Sequence, residues 1–154
     1  MGASLSSNLR PTTADIIKLQ LTLGHGVQNH MNDPTADVGV ELNPGGGPAR
    51  PIKGAAIPLT GLFAFLEHKW NDRWSSTAGY SLLDISNTVG QNPSAFNRGH
   101  YALGSLLYTP VPNLMVGGEL QYGLRENFLD GFSADDVRIQ FSFKYSFSVS
   151  TSGQ

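Results

Sequence analysis

The segment VRIQFSFKYSF, residues 137–147, alternates without interruption between apolar and polar side chains. Successive side chains on a β-strand point to opposite faces of the sheet, so this segment has one aromatic-rich face and one polar, cationic face. In a soluble sandwich the apolar face of a strand turns inward and is mostly aliphatic. The aromatic face favours a transmembrane β-barrel, in which lipid contacts the apolar side and water contacts the polar side.

The composition agrees with many strands joined by turns. Of the 154 residues, 18 are glycine and 9 are proline, and only 14% are charged, against about 25% in typical soluble domains. The net charge of −2 gives no indication of nucleic-acid binding, and the absence of cysteine excludes disulfides and thiolate metal sites. No apolar run approaches the roughly 18 residues of a membrane-spanning helix. The chain also begins without the apolar core of a signal peptide.

Six segments have the alternation of strands and roughly the 9–11 residue length of a tilted transmembrane strand. They are residues 16–25, 58–70, 74–85, 100–109, 114–125 and 137–147. The second segment is apolar on both faces, and we favour the register that turns Glu67 inward. That register points the alternate side chains toward lipid, namely Leu62, Ala64, Leu66, His68 and Trp70.

The connections between these segments alternate in length. Residues 27–56 are a long stretch rich in glycine and proline, whereas only residues 71–73 separate the second and third segments. Outer-membrane barrels have short periplasmic turns and longer extracellular loops. Aromatic residues cluster on the short-turn side, which predicts an interfacial girdle there. Its members are Trp70, Trp74, Tyr108, Tyr145 and Phe147.

These patterns predict an all-β fold, an antiparallel up-and-down meander of about six transmembrane strands. Residues 1–14 would be a disordered or partial N-terminal segment, 15–147 the β-barrel segment, and 148–154 a short C-terminal tail. Bacterial membrane barrels begin at eight strands, and an open sheet in lipid leaves costly unpaired backbone groups. We therefore expect a partial barrel, the C-terminal part of a larger one.

If the apolar side chains face lipid, the opposite side chains line a pore. The predicted pore-lining residues are Lys18, Gln20, Glu67, Glu119, Gln121, Arg125, Arg138, Gln140 and Lys144. This set has four cations and two anions, a modest excess that favours anions. Arg125, Arg138 and Lys144 could form one basic patch. The alternative, equally open, is that these charges pair with Glu119 and only stiffen the wall.

No catalytic residue, metal site or cofactor is predicted. His68, Asp84 and the serines lie on different strands without a GxSxG turn. Asp130, Asp135 and Asp136 could offer oxygen ligands to Ca²⁺, but their spacing matches no EF-hand, and a solvated loop is the favoured interpretation.

The run YALGSLLYTPVPNLMVGGELQYGLRENFLDGFSADDVRIQFSFKYSF, residues 101–147, resembles the C-terminal end of the DcaP-like porins of Gram-negative bacteria. The segments IKLQLTLGHGVQNHMNDPTADVG and FAFLEHKWNDRWSSTAGYSLLDISN are similar to the strands before it. The resemblance rests on strand-and-turn motifs over residues 15–147. It implies part of a homotrimeric outer-membrane porin of roughly sixteen strands, a number within the range known for such barrels.

The resemblance also implies the function, namely passive diffusion of small hydrophilic, anionic solutes such as dicarboxylates. The implied partners are membrane lipid and these solutes, without nucleic acid and without a cofactor. Two other functions remain open from the residue pattern. One is a small soluble β-barrel that binds an apolar ligand inside, and the other is a structural outer-membrane barrel.

Overall fold

A computed structural model describes residues 1–30 and 36–148 of the chain. The described residues form a seven-stranded sheet and a two-stranded hairpin. The strands are β1 (Gly2–Leu9), β2 (Asp15–His25), β3 (Val38–Leu42), β4 (Ile52–Ala56), β5 (Pro58–Lys69), β6 (Trp74–Ile85), β7 (Phe96–Val111), β8 (Leu114–Asn127) and β9 (Ser133–Tyr145). Two short 3₁₀ turns, Gln28–His30 and Pro44–Gly46, lie between β2 and β5. Within the described ranges, no helix is long and apolar enough to cross a membrane.

The large sheet is an antiparallel meander. Its order is β1-β2-β5-β6-β7-β8-β9, so each strand pairs with the next strand of the chain except where the β3–β4 hairpin is inserted between β2 and β5. The sheet is not closed, and β1 and β9 are its two edges. The all-β, partial-barrel prediction is confirmed.

The structure adds a seventh strand where the sequence analysis expected a disordered or partial segment. All eight residues of β1 are paired with β2, from Gly2 opposite Gly24 to Leu9 opposite Ile17. In β1, serine and asparagine alternate with small or apolar residues, which is a weak strand signal in the sequence. Pairing supplies backbone hydrogen bonds to the edge of β2, and this gain does not depend on the side chains.

Other boundaries also differ from those predicted. The long connection contains the β3–β4 hairpin, with Val38 opposite Ala56. The hairpin strands have five residues each, too few to cross a membrane. β7 begins at Phe96 instead of residue 100, and the last strand begins at Ser133 instead of residue 137 and ends at Tyr145, so Phe147 lies beyond it. The residues that extend β9, 133–136, have polar or short side chains and lack the apolar alternation that predicts a membrane-spanning strand.

The register divides the side chains of the large sheet between two faces, because directly opposed residues share a face. One row that crosses the sheet is Lys18, Phe65, Gly79, Leu103, Gln121 and Arg138. The adjacent row on the other side is Leu19, Ala64, Tyr80, Ala102, Tyr122 and Val137. A groove of about 670 Å³ is lined mainly by residues of the first side, from β2 through β9. The sheet therefore curves around that side, which we call the inner face, and the other side is the outer face.

A small buried core lies at the end of the sheet that carries the long connections. Its members are Ile57, Leu59, Leu83 and Ile85, with Ala36 and Phe96 packed against them. The connection is held there by backbone hydrogen bonds. The amide of Gly26 donates to Ile57 O at 2.9 Å, the amide of Ile57 donates to Asp37 O at 3.0 Å, and the amide of Gly90 donates to Val40 O at 3.1 Å. The β3–β4 hairpin is thus fastened to the β6–β7 connection.

Candidate functional site

The inner face carries all the side chains that the sequence analysis assigned to a pore wall. The register places them on this one face, although they come from four strands, β2, β5, β8 and β9. They are Lys18, Gln20, Glu67, Glu119, Gln121, Arg125, Arg138, Gln140 and Lys144. Their common side follows from the period-two alternation of each strand, which was the signal used to predict them.

The charges of the inner face do not all pair. Lys18 Nζ lies 2.5 Å from Glu67 Oε1, a contact between neighbouring strands that cancels both charges. Glu119 instead accepts a hydrogen bond from the side-chain amide of Gln121. Among the described residues, the ion pairs found within 4.0 Å include neither Arg125 nor Arg138. Pairing of these cations with Glu119 is therefore not observed.

The basic residues of β8 and β9 form a ladder along the wall. Arg125 lies opposite Ala134, which is four residues from Arg138, and Lys144 is six residues further along β9. With a rise of about 3.4 Å per residue, the three levels are separated by roughly 13 Å and 20 Å. The three cations therefore lie at different heights along the wall, because adjacency of strands does not imply the same height along them, and a single basic patch stays a prediction.

The structure places two further kinds of residue on the inner face that the sequence analysis did not assign there. Asp136 is one, because β9 begins before it and it lies opposite Gly123. The others form an apolar strip on β5 and β7. Its members are Phe63, Phe65, Tyr101, Leu103 and Leu107. Once Glu67 had been turned inward, the period of two already implied that Phe63 and Phe65 face inward as well.

Aromatic packing stabilises the inner surface of β5 and β6. The rings of Phe63 and Phe65 meet edge to face with centroids 5.6 Å apart. The Phe65 ring lies directly over Gly79, where any Cβ would collide with it. Glycine at this position therefore lets a large aromatic side chain lie flat against the wall instead of projecting into the enclosed space.

The groove on the inner face has a floor of small residues and a rim of large ones, and we call it the glycine-floored groove. Its floor residues are Gly61, Ser81, Gly99 and Gly123, and its rim includes Gln20, Phe63, Tyr101, Arg125 and Asp136. A Cβ at Gly123 would meet nothing within 4 Å, so open space lies above this part of the floor. The groove thus brings a cation, an anion and the rings of Phe63, Phe96 and Tyr101 to one depression in the wall.

The outer face presents a continuous apolar surface. Phe141 is 82% exposed and Phe143 is 71% exposed, and they lie on the opposite side of β9 from Arg138 and Lys144. The residues expected to point toward lipid from β5 and the following turn include His68, whose Nδ1 lies 2.6 Å from Asp15 Oδ1. Exposed aromatic rings of this kind are unfavourable in water and favourable in hydrocarbon.

Two features bound this apolar band along the strands. At the short-turn end, the rings of Trp74 and Tyr108 stack with centroids 4.4 Å apart. At the other end, Arg98 Nε donates to Asp84 Oδ2 at 2.6 Å, and Arg98 Nη1 lies 3.8 Å from Glu126 Oε2. The ten steps from Trp74 to Asp84 span roughly 33 Å along a strand, or about 25 Å across a bilayer at a tilt of ~40°. This matches the apolar height of membrane barrels.

The other predicted girdle residues lie at the same short-turn end. Trp70 Nε1 donates to Ser76 Oγ at 3.0 Å, and the rings of Tyr145 and Phe147 stack at 6.5 Å. The five aromatic side chains thus occupy one end of the sheet. Indole and phenol groups prefer the membrane–water boundary because they combine an apolar body with a polar tip.

The aspartates of the β8–β9 connection do not form an ion-binding cluster. Asp135 and Asp136 are consecutive residues of a strand and point to opposite faces. The Asp130 carboxylate accepts hydrogen bonds from the Phe132 amide at 2.9 Å and from Asn127 Nδ2 at 3.0 Å. These hydrogen bonds, the one from the Phe132 amide first, hold the pKa of Asp130 below its ordinary value. Over the described ranges, no group of three His, Asp or Glu side chains could hold a metal ion.

Comparison with protein-family models and with curated protein sequences gives no match. Among solved structures, the chain is similar to the outer membrane channel DcaP of Acinetobacter baumannii, with a TM-score of 0.82 and 20% sequence identity. The match covers 95% of this chain and 40% of that channel. The chain therefore spans less than half the length of the channel. The open seven-stranded sheet has the fold of a portion of this outer-membrane channel.

Proposed function

We propose that the chain is a portion of an outer-membrane porin that lets small hydrophilic solutes diffuse passively, with a preference for anions such as dicarboxylates. One observation carries this proposal. A single curved sheet has polar and charged side chains on its inner face and a continuous, exposed apolar band on its outer face. A soluble barrel has the opposite distribution, with apolar side chains inside and polar side chains outside. An apolar outer face is favourable in contact with hydrocarbon.

The mechanism needs no chemical step. A charged solute crosses hydrocarbon poorly because desolvation of its charge is costly. A wall with polar side chains keeps water beside the solute along the path. The inner-face side chains of Gln20, Gln121 and Gln140 offer hydrogen bonds, and the antiparallel ladder satisfies the backbone groups within the sheet. The protein would thus lower the barrier to diffusion down a gradient.

The anion preference rests on the cations that remain after pairing. Lys18 and Glu67 cancel one another. Lys69, at the end of β5, lies on the same face and pairs with Asp72, with 2.8 Å between Nζ and Oδ1. Among the described strands, the charges of the inner face that remain without an ion pair are those of Arg125, Arg138 and Lys144 against those of Glu119 and Asp136. Arg138 and Lys144 contribute positive potential at the middle and at the short-turn end of β9, and charged residues along a pore wall set its ion preference. The excess is small, so we expect mild rather than strict selectivity.

The membrane setting of the proposal includes a trimer and an aromatic girdle. The structural likeness is to an outer membrane channel, and the apolar band has the height of a bilayer core. In this setting Trp70, Trp74, Tyr108, Tyr145 and Phe147 contact the lipid interface on the periplasmic side. The homotrimer is inferred from the sequence resemblance to the DcaP-like porins.

Two other functions have less support. A soluble barrel that binds an apolar ligand inside would bury Phe141 and Phe143, and both are largely exposed on the outer face. A purely structural membrane barrel would share the apolar band but would not conduct ions. Conductance therefore separates the porin from the structural barrel.

Ion selectivity of the full-length porin of which this chain is proposed to be a portion, measured in planar lipid bilayers, tests the proposal. Under a KCl gradient, we expect a reversal potential of the sign for anion selectivity, and we expect the double variant Arg138→Gln/Lys144→Gln to lose most of it. The control Arg10→Gln/Arg50→Gln removes two cations from connections and should leave the reversal potential unchanged. Absence of any conductance would contradict the porin, whereas conductance with unaltered selectivity in the Arg138/Lys144 variant would contradict only the anion preference.

A further inference from the structure

We propose that the glycine-floored groove is a binding site for zwitterions, small molecules that carry an ammonium group and a carboxylate close together, as an α-amino acid does. This inference rests on the proposed function in one respect, namely that the inner face is wet and open to solutes. It is carried by the position of two opposite charges, those of Arg125 and Asp136, which line the same groove without pairing with one another.

The register of β8 and β9 brings the two charges to the same part of the wall. Arg125 is opposite Ala134 and Asp136 is opposite Gly123, so the two side chains are diagonal neighbours on the inner face. Diagonal neighbours in an antiparallel pair lie about 7–8 Å apart at their Cα atoms. The ion pairs within 4.0 Å among the described residues do not include one between Arg125 and Asp136. A solute that carries both charges can therefore fit between them.

Arg125 is positioned to receive a carboxylate. Its guanidinium carbon lies 5.7 Å from the centroid of the Phe96 ring, and its Nε donates to Asn127 Oδ1 at 3.1 Å. These contacts hold the guanidinium beside the Phe96 ring. No hydrogen bond from its two terminal nitrogens is found among the described residues, so they are available for the bidentate contact that guanidinium groups make with carboxylates.

Asp136 is positioned to receive an ammonium group. Its Oδ1 accepts a hydrogen bond from the Val137 amide at 2.8 Å, which orients the carboxylate. No hydrogen bond to Oδ2 is found within the described part of the chain, and Asp136 lines the groove without an ion pair to a neighbouring cation. The carboxylate also disfavours a second carboxylate on the solute, which separates this site from the dicarboxylate preference proposed for the ladder as a whole.

The remaining walls determine what else the solute can carry. Gly123 leaves open space above part of the floor, the Phe96 ring lies over Gly99, and Phe63 and Tyr101 also line the groove. Aromatic rings bind apolar and aromatic groups by stacking and area burial. The groove therefore suits a zwitterion with an apolar or aromatic side chain, and L-phenylalanine is the appropriate probe.

The test compares three probes that share one phenyl-alkyl skeleton but differ in charge. L-Phenylalanine carries both charges, 3-phenylpropanoate only the carboxylate, and 2-phenylethylammonium only the ammonium. Binding to the protein folded in detergent micelles is measured by saturation-transfer NMR at pH 7. We expect the zwitterion to bind about tenfold more tightly than either singly charged probe, because one additional charge-assisted contact corresponds to about a factor of ten.

Three variants assign the effect to the two charges. Asp136→Asn should weaken L-phenylalanine binding about tenfold without weakening 3-phenylpropanoate binding. Arg125→Gln should weaken the binding of both of these carboxylate-bearing probes. The matched control is Asp72→Asn, which removes a carboxylate from the turn between β5 and β6 at the other end of the sheet and should change neither. If Arg125→Gln folds poorly, the comparison of Asp136→Asn with Asp72→Asn decides by itself.

Equal binding of the zwitterion and 3-phenylpropanoate, or equal losses in the Asp136 and Asp72 variants, would overturn the inference. Bilayer conductance distinguishes this failure from that of the proposed function. A conducting protein without zwitterion preference would retain the porin and reject the site. Zwitterion binding by a protein that does not conduct would retain the binding site and reject the porin.

Discussion

Ile57 and Ile139 are the same residue type in opposite surroundings. Ile57 is 0% exposed in the core at the long-connection end, and Ile139 is 67% exposed on the outer face of β9. The connection that covers Ile57 reaches only one end of the sheet. Among the described residues, none covers the apolar side chains on the outer face of β9, such as Ile139, Phe141 and Phe143. The two isoleucines therefore require different surroundings. Packed protein covers Ile57, whereas hydrocarbon is the favourable surrounding for Ile139.

The largest expected effect comes from replacing isoleucine by alanine, and we compare this substitution at residues 57 and 139. Ile57→Ala should destabilise the folded protein in phospholipid vesicles by about 2–5 kcal/mol, because it leaves a cavity in a packed core. Ile139→Ala should reduce the folding free energy by only about 1–2 kcal/mol, the transfer free energy of the apolar area that is removed. No cavity forms there, since lipid chains close around the smaller side chain. Urea unfolding followed by tryptophan fluorescence measures both. Equal losses would contradict the assignment of different solvents to the two sites.

A charged substitution tests which face of the sheet contacts hydrocarbon and which contacts water. Leu120→Arg places a guanidinium in the middle of the apolar band, where the expected loss of folding free energy in vesicles is about 2–4 kcal/mol. The matched control is Gln121→Arg, the next residue on the same strand, which points to the inner face and should cost under about 1 kcal/mol. The same urea titration measures both variants. A larger loss for Gln121→Arg would mean that the faces have been assigned the wrong way round.

The smallest expected effect concerns the β8–β9 connection, outside the apolar band. Hydrogen bonds lower the pKa of Asp130 in the folded state, so its ionised form contributes stability above the unfolded pKa of about 3.9, and that contribution is lost as pH falls through the folded pKa. We expect the Phe132 amide resonance to titrate with a midpoint below that of an unperturbed aspartate. Asp130→Asn should abolish this titration, and its persistence in the variant would assign it to another group.

The sequence was sufficient to predict which side chains face inward and which face outward on most strands. This is because alternation depends only on neighbouring residues of one strand. The inward set from Lys18 to Lys144 and the outward position of Phe141 both follow from the period of two and from the choice of solvent for the apolar side. The strand β1 was missed because its side chains carry little apolar signal and its stability comes from pairing with β2. The same holds for the first residues of β9, which include Asp136.

The height of each charge along the wall could not be predicted, since height depends on the register between strands. Arg125 and Arg138 appear close when only strand neighbours are considered, and the pairing of Arg125 with Ala134 separates them. The glycine-floored groove likewise depends on residues 61, 99 and 123, which come from three strands and meet only in the folded sheet.

The sequence by itself determined which side chains share a face, because the pleat of a strand requires successive residues to point in opposite directions. It also determined that one of those faces is suited to hydrocarbon. Only the tertiary structure decided which charges meet and which stay apart. Register, curvature and the packing of the long connection arise from contacts between residues distant in the chain, and alternation within one strand carries no information about them.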